Sequence, residues 1–482
     1  MSQHRDQIRG RVRPVIVPIA ERYFFNTIIF KEALSTMNAS SIFAHTPPVK
    51  LFFFAAIPGS ISMLASSLYY TFDGIFVGQY LGATAFAAIN LALPFVIINF
   101  SLADLVGVGS AVPISIYLGR GEKQAANNLF TCACLLILIL GAVIGGILYA
   151  SAPGLIHLMG AKGDFAQLAI DYMRVYALCS PLTTIIFALD NYWRICGFIR
   201  GSMWLNILMS ALCGGLEFLF LGIFGWGVWA AALAGSAGMA ICALIAFVPF
   251  FRGQATLRFC RPHFHVKMIK QIVACGSPNF LNTIAGRLTS ILMNAILVRL
   301  GGATAVSVYG VLMFADGFVQ PLLYGLCDAL QPAVGYNWGA EKYSRVRAIE
   351  RCCFIGAAVV TLLLMVMLFS FPAAITQLFV PNADEALLTM SVTALQLFAF
   401  TYLTRWFSFA TQSYMLAIER PLEASLLSIS TAFLFPVLLV VLLWPLGLTG
   451  IWLNMPLTAM LAAVLAAMIL RRLRPLLHQA DA

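Results

Sequence analysis

The sequence predicts an all-α polytopic membrane protein, with twelve transmembrane helices in two six-helix lobes related by an internal repeat. Three observations carry this. The chain is 61% hydrophobic and only 10% charged over 482 residues, more apolar surface than a soluble chain of that length can hide. Runs of about 20 apolar residues recur, long enough as helices for a hydrocarbon core of roughly 30 Å, and no alternating period suggests a barrel. A single register of 220 residues (301 less 81) relates the two halves.

The spans fall near 51–80, 88–118, 127–152, 167–192, 202–224, 228–251, 272–299, 304–335, 353–380, 387–417, 422–444 and 450–470. Basic residues support this layout. Arg120 and Lys123, Arg194 and Arg200, Arg252 to Lys270, Lys342 to Arg351, Arg420, and Arg471 to Arg474 all occupy alternate loops. The other loops hold little beyond Lys162, with Arg299 at a helix end. By the positive-inside rule both termini are then cytoplasmic, so the +10 net charge reflects topology and no nucleic-acid partner is expected. The expected units are an N-terminal arm at 1–50, an N-lobe at 51–251, a loop at 252–271, a C-lobe at 272–470 and a tail at 471–482. The arm lacks a secretory pattern and reads as amphipathic or disordered on the inner leaflet. The eleven cysteines mostly sit in spans without metal-ligand spacing and read as small packing residues. "HFH" at 263–265 reads as a solvated loop pair.

The repeat shows in the residues. "LGATAFAA" at 81–88 returns as "GGATAVSV" at 301–308, Pro58 meets Pro278, and Gly119 meets Gly339. "GFIR" at 197–200 faces "AIER" at 417–420, and the short loops "GRGEK" and "GAEK" correspond within one residue. A register held this far indicates duplication. Six spans per repeat make both halves enter from one side, so the relating axis runs along the membrane normal, as in two-bundle transporters.

"YYTFDGIFVGQYLGATAFAAINLALP" from Tyr69, with "QPAVGYNWGAEK" from Gln331 and "GWGVWAAALA" from Gly225, resembles the multidrug and toxic compound extrusion family over roughly residues 50 to 470. The resemblance implies an outward-facing V of two lobes, exporting organic, often cationic, compounds in exchange for H⁺ or Na⁺. It also implies an Asn and an Asp four residues apart on the fifth span, where this chain has Cys213 and Glu217 in "ALCGGLEFLFLG". The acid survives as Glu but the amide is lost. That argues against a Na⁺ site built on the amide oxygen, whereas proton coupling tolerates the change. The resemblance further places a Tyr in the proton network, here Tyr69.

Charges in hydrocarbon cost at least about 2.5–3.5 kcal/mol each, so every intramembrane one needs a reason. The first half holds Asp73, Asp104, Asp190 and Glu217, whose counterparts are Met293, Tyr324, Ala410 and Val437. Duplication kept the scaffold but not the acids, which points to function in the N-lobe. Asp73 and Glu217 both lie roughly 10 Å below the outer ends of their helices, and Tyr69 shares the face of Asp73 one turn earlier. Desolvation and like charge both oppose ionisation of two carboxylates brought together there, so the pair is suited to exchange a proton. A hydrophobic cation competing for the ionised form gives antiport.

Asp104, Asp190, Arg287 and Asp316 are further candidates for a substrate or coupling path. Against that role, Asp104 equally suits a helix-packing hydrogen bond, and Asp190 suits an i,i+4 ion pair with Arg194. Arg287, Asp316, Asp328 and Arg405, facing Ser67, Val96, Val108 and Ile185 in the other half, suit structural pairs across the seventh, eighth and tenth spans.

The expected function is therefore secondary active efflux of small organic molecules by a monomer in the bilayer of a bacterial inner (plasma) membrane. No cofactor is expected beyond the coupling ion. The alternative is a two-lobed flippase of lipid-linked sugars, which would favour a cationic cavity for pyrophosphate, and the acidic N-lobe argues against it. An enzyme is not expected, since there is no H-E-x-x-H helix, G-x-S-x-G elbow or nucleotide-binding G-x-x-x-x-G-K-[ST] loop.

Overall fold

Two glycines turn the chain where the repeat motif lies. The computed structural model describes residues 39–380 and 384–479. In it, α1 (Pro48–Gly82) and α2 (Thr84–Gly119) part at Gly82, and α7 (Val266–Gly302) and α8 (Thr304–Gly339) at Gly302, in each case the one residue with non-helical backbone angles. Gly82 has φ 83 and ψ 175, and Gly302 has φ 61 and ψ −151, a region essentially closed to side-chain-bearing residues. The chain reverses there, since a Cβ on Gly74 would touch the ring of Phe86 at 3.6 Å. A loop expected at 81–87 is thus a one-residue reversal. Nothing lies within 4 Å of a Cβ on Gly82, so Gly82→Ala tests backbone strain alone. Thermal melting of the purified protein is expected to show a loss of about 1–3 kcal/mol.

The remaining spans are α3 (Lys123–Leu158), α4 (Gly163–Ile195), α5 (Ile199–Ile223), α6 (Val228–Phe251), α9 (Tyr343–Ser370), α10 (Glu385–Ala399 and Thr401–Ala417, bent by 42°), α11 (421–443) and α12 (Gly447–Gln479). The last two form one apolar stretch of 53 residues, Pro421–Leu473. At about 1.5 Å per residue this is far longer than a bilayer is thick. It folds back at Gly447, φ 56, so that Asn454 Nδ2 donates to Pro436 O at 2.8 Å. Counted this way the described residues contain twelve spans.

The ninth span stops earlier than expected. Phe371 leaves helical geometry ahead of Pro372, because a residue before proline is pushed out of the α region, and a short helix Pro372–Phe379 follows. At the other end α12 continues to Gln479, past the expected boundary at 470. The arm also departs from expectation. A short helix Ala39–His45 buries Ile42 and Phe43, and Phe43 O accepts from Asn337 Nδ2 at 3.0 Å and Arg345 Nε at 2.9 Å. This segment docks on α8 and α9 rather than lying on a leaflet, and residues 1–38 lie outside the described ones. The inter-lobe loop is strapped to α3, with His263 N donating to Asn128 Oδ1 at 2.8 Å.

Glycine backbones form the seam between the lobes. A Cβ on Gly119 would sit 2.0 Å from Tyr336 O, and one on Gly339 would sit 2.2 Å from Ile116 O. These two contacts are exchanged by the 220-residue register, as a two-fold axis demands. Helix α1 meets α8 through Gly59 and Gly325, and α2 meets α7 through Gly109 and Gly276, each with backbone closer than a Cβ allows. Ser67 Oγ donates to Gly317 O at 2.8 Å, and Tyr117 OH donates to Gln271 Oε1 at 3.3 Å. These contacts run from the face bearing the basic loops to about mid-depth. Outward stripes such as Ile139, Val143 and Ile147 on α3, all exposed, are the surface lipid covers.

Candidate functional site

Three helices of the N-lobe converge just past the Ser67–Gly317 contact. Asp73, nine residues before Gly82 on α1, turns its carboxyl toward that of Glu217 on α5, close enough for the side chains to interact. The approach falls outside strict hydrogen-bond geometry, and both Glu217 oxygens are buried without a well-formed donor among the described residues. Glu217 is 1% exposed and Asp73 half-buried. Cys213, one turn before Glu217, is buried, and its Sγ donates to Gly235 O on α6 at 3.4 Å. The hydroxyl of Tyr69 engages the Cys213 thiol and also lies within electrostatic reach of both acids. Helix α6 comes this close because it has glycine at both contacts. A Cβ on Gly238 would meet Cys213 Sγ at 2.6 Å, and one on Gly235 would meet Tyr69 OH at 2.9 Å. The four residues Tyr69, Asp73, Cys213 and Glu217 are therefore one constellation.

Two features of this site escaped the sequence. Immediately after Glu217, residues Phe218–Ile223 adopt a π-helix, whose wider turn is common at functional positions. Above the acids, toward the face opposite the basic loops, Phe76 and Tyr80 of α1 pack on Phe218 of α5, with ring centroids 6.4 and 6.3 Å apart. Phe72 extends the same stripe. Its spacing, Phe72, Phe76, Tyr80, was a legible signal: aromatic side chains one helical turn apart on the face of the acid.

The other candidates lie elsewhere. Asp190 and Arg194 on α4 form an ion pair of 2.6 Å, off the hydrogen-bond angle, with side chains 12% and 4% exposed. Ser202 Oγ donates to Asp190 and accepts from Arg194 Nε at 3.0 Å, while Asn206 Nδ2 donates to Asp190 at 2.7 Å. Asp104 on α2 does not join the acid pair. It faces Asp328 of α8 across the seam, and Asp328 lies within electrostatic reach of Arg194. Asp316 on α8 pairs with Arg405 of α10 at 3.1 Å and accepts from Tyr402 OH at 2.5 Å. The expectation of two structural pairs in the C-lobe is half right. Asp328 is held by Ser413 and Gln331 at 2.9 and 2.8 Å, and Arg287 has no acid partner among the described residues. Asp328 and Arg287 sit on different faces of the C-lobe, one at the seam and one exposed on the wall of a cavity, so they cannot meet.

A family model, MatE, matches residues 58–216 and again 278–442, two copies whose starts differ by the same 220 residues. The chain belongs to the MatE family. Among MatE relatives, the "Multidrug export protein MepA" of Staphylococcus aureus strain N315 is 24% identical over 90% of this chain and 95% of its own length. A solved outward-facing conformation of a multidrug resistance MATE family transporter superposes with TM-score 0.87 at 22% identity, over 92% of this chain and all of that one. A MOP superfamily transporter from Pyrococcus furiosus, described as having a binding pocket of reverse polarity, gives TM-score 0.85 at 23% identity, over 93% and 99%. The MatE fold, its doubling and its identity as a membrane transporter rather than an enzyme thus agree with the sequence reading.

Proposed function

We propose that this MatE protein exports organic, often cationic, compounds by exchange for protons, alternating access between its lobes. The observation that carries the proposal is the enclosed Asp73–Glu217 pair with Cys213 beside it. Two carboxyls in an apolar setting bind a proton readily. A thiol is a soft group and a poor oxygen-site substitute for a hard monovalent cation, which favours H⁺ over Na⁺. The relatives named as multidrug exporters support the cargo class. Basic loops on one face support cytoplasmic termini in a bacterial inner membrane. The working unit in this reading is a monomer. Exchange of one proton for one monovalent cation is electroneutral, so only the pH difference drives it. A second proton adds about 2.3 kcal/mol per 100 mV.

The test is transport of a fluorescent organic cation in everted vesicles under imposed gradients. A pH gradient is expected to drive accumulation at unchanged Na⁺, and a Na⁺ gradient at fixed pH is expected to drive none. Accumulation driven by Na⁺ alone would overturn proton coupling.

A further inference from the structure

The C-lobe holds a cavity of about 430 Å³ between α7, α8, α10, α11 and α12, within the range of small-ligand sites. Nothing in the acid constellation touches it. Its charged lining is Arg287, Arg405 and Asp316. Asp316 neutralises Arg405 through the 3.1 Å ion pair, which leaves the guanidinium of Arg287 as one unbalanced positive charge. Hydrogen-bonding capacity also points inward. Thr401 is 2% exposed and its Oγ1 has no partner among the described residues, and Gln320 Oε1 is likewise unpaired there while its Nε2 donates to Tyr324 OH. Phe398, Trp452 and Met455 supply apolar wall.

The duplication sharpens the point. At the shared register, Arg287, Asp316, Arg405 and Gln320 face Ser67, Val96, Ile185 and Phe100. A shared scaffold role would leave similar residues in both lobes. The polar lining instead belongs to the C-lobe alone, just as the acid pair belongs to the N-lobe. Helix α11 contributes through its own π-helix, Ser430–Leu434, which exposes Thr431 and Ala432 to the cavity. Arg287 is exposed on the cavity wall, and a cation within a membrane span that faces an open cavity marks a ligand site or pathway.

We propose that this cavity is a binding site for amphiphilic molecules carrying one carboxylate, held by Arg287. A guanidinium fork matches a carboxylate with two parallel hydrogen bonds. Asp316 keeps Arg405 in place through its ion pair, and Thr401 and Gln320 bind the ligand's polar edge. The assignment goes beyond the export reading by adding a carboxylate-bearing class of ligand, and the site's role in handling cargo rests on that reading. Binding itself does not depend on coupling.

The experiment uses the full-length protein purified in detergent, with no gradient, and three probes sharing one fluorophore. Dansylglycine carries a carboxylate, its methyl ester is neutral, and dansylcadaverine is cationic. Dansylglycine is expected to bind at least about tenfold tighter than the ester. Trp452→Phe is expected to remove much of its tryptophan-sensitised emission, locating the probe. Arg287→Gln is expected to abolish the preference for acid over ester, and Arg287→Lys, which keeps the charge, to retain part of it. Equal binding of acid and ester, tighter binding of dansylcadaverine, or a full preference in Arg287→Gln would overturn the site. Failure of proton-driven export alongside intact acid selectivity would sink the coupling reading and leave this one standing.

Discussion

Vesicles carrying Asp73→Asn are expected to lose pH-driven export, by roughly a hundredfold or more, the scale seen when a positioned proton-transfer group is removed. The substitution is nearly isosteric, and Asp73 is half-buried beside Glu217 and Tyr69, so packing is retained and the melting temperature should stay near wild type. What disappears is the titrating group. Glu217→Gln is expected to give a comparable loss, because either carboxyl alone lacks the like-charged neighbour that opposes its ionisation. The double variant is expected to be hardly worse than either single one, the signature of residues acting as a unit. Wild-type exchange in Asp73→Asn, measured with a fluorescent cation under an imposed pH gradient, would remove the acid pair from the mechanism.

The second large effect is on stability. Arg194→Met is expected to destabilise the fold by about 3–5 kcal/mol, because it strands the buried Asp190 carboxylate without its counter-charge. Both side chains of the 2.6 Å pair are nearly enclosed, at 4% and 12% exposure, so water cannot replace the guanidinium. Ser202 and Asn206 still donate to Asp190, but they bring no charge. The double variant Asp190→Asn with Arg194→Met is expected to recover much of the loss, since removing both charges also removes the desolvation cost. Thermal melting of purified protein in detergent reads this directly. Equal stability of Arg194→Met and wild type would mean that the pair is solvated.

Long apolar runs, alternate basic loops and a constant register made the twelve spans and their doubling legible. Those signals are local or linear. Asp73 and Glu217 were legible for a related reason: an acid within an apolar run stands out by composition, and equal distance from two helix ends puts both at one depth. Contacts between distant helices left no such trace. Nothing in the spacing of Asp104, Arg194 and Asp328 announces that they share the lobe seam. The hydroxyl of Tyr69 was expected to serve Asp73 along its own helix, yet it also reaches Cys213 on α5, a neighbour only once α6 has packed its glycines there. The π-helix after Glu217 changes which backbone groups pair without changing composition. The acid partner expected for Arg287 is missing among the described residues because four charges suggested two pairs, and only the packed helices show that this base lines a cavity.

The glycine seam has a mechanical consequence. Where Gly59 meets Gly325, and Gly119 meets the carbonyl of Tyr336, main chain lies directly on main chain. Such points have no interlocking rotamers to unpick, so there one lobe can roll over the other like a journal in a smooth bearing, once side-chain bonds such as Tyr117 to Gln271 are released. Motion there costs mainly dispersion contacts, each only about 0.1–0.2 kcal/mol per atom pair, regained wherever the surfaces next touch. A side chain at any of these glycines would act as a cog, so the lack of side chains is what lets the joint turn.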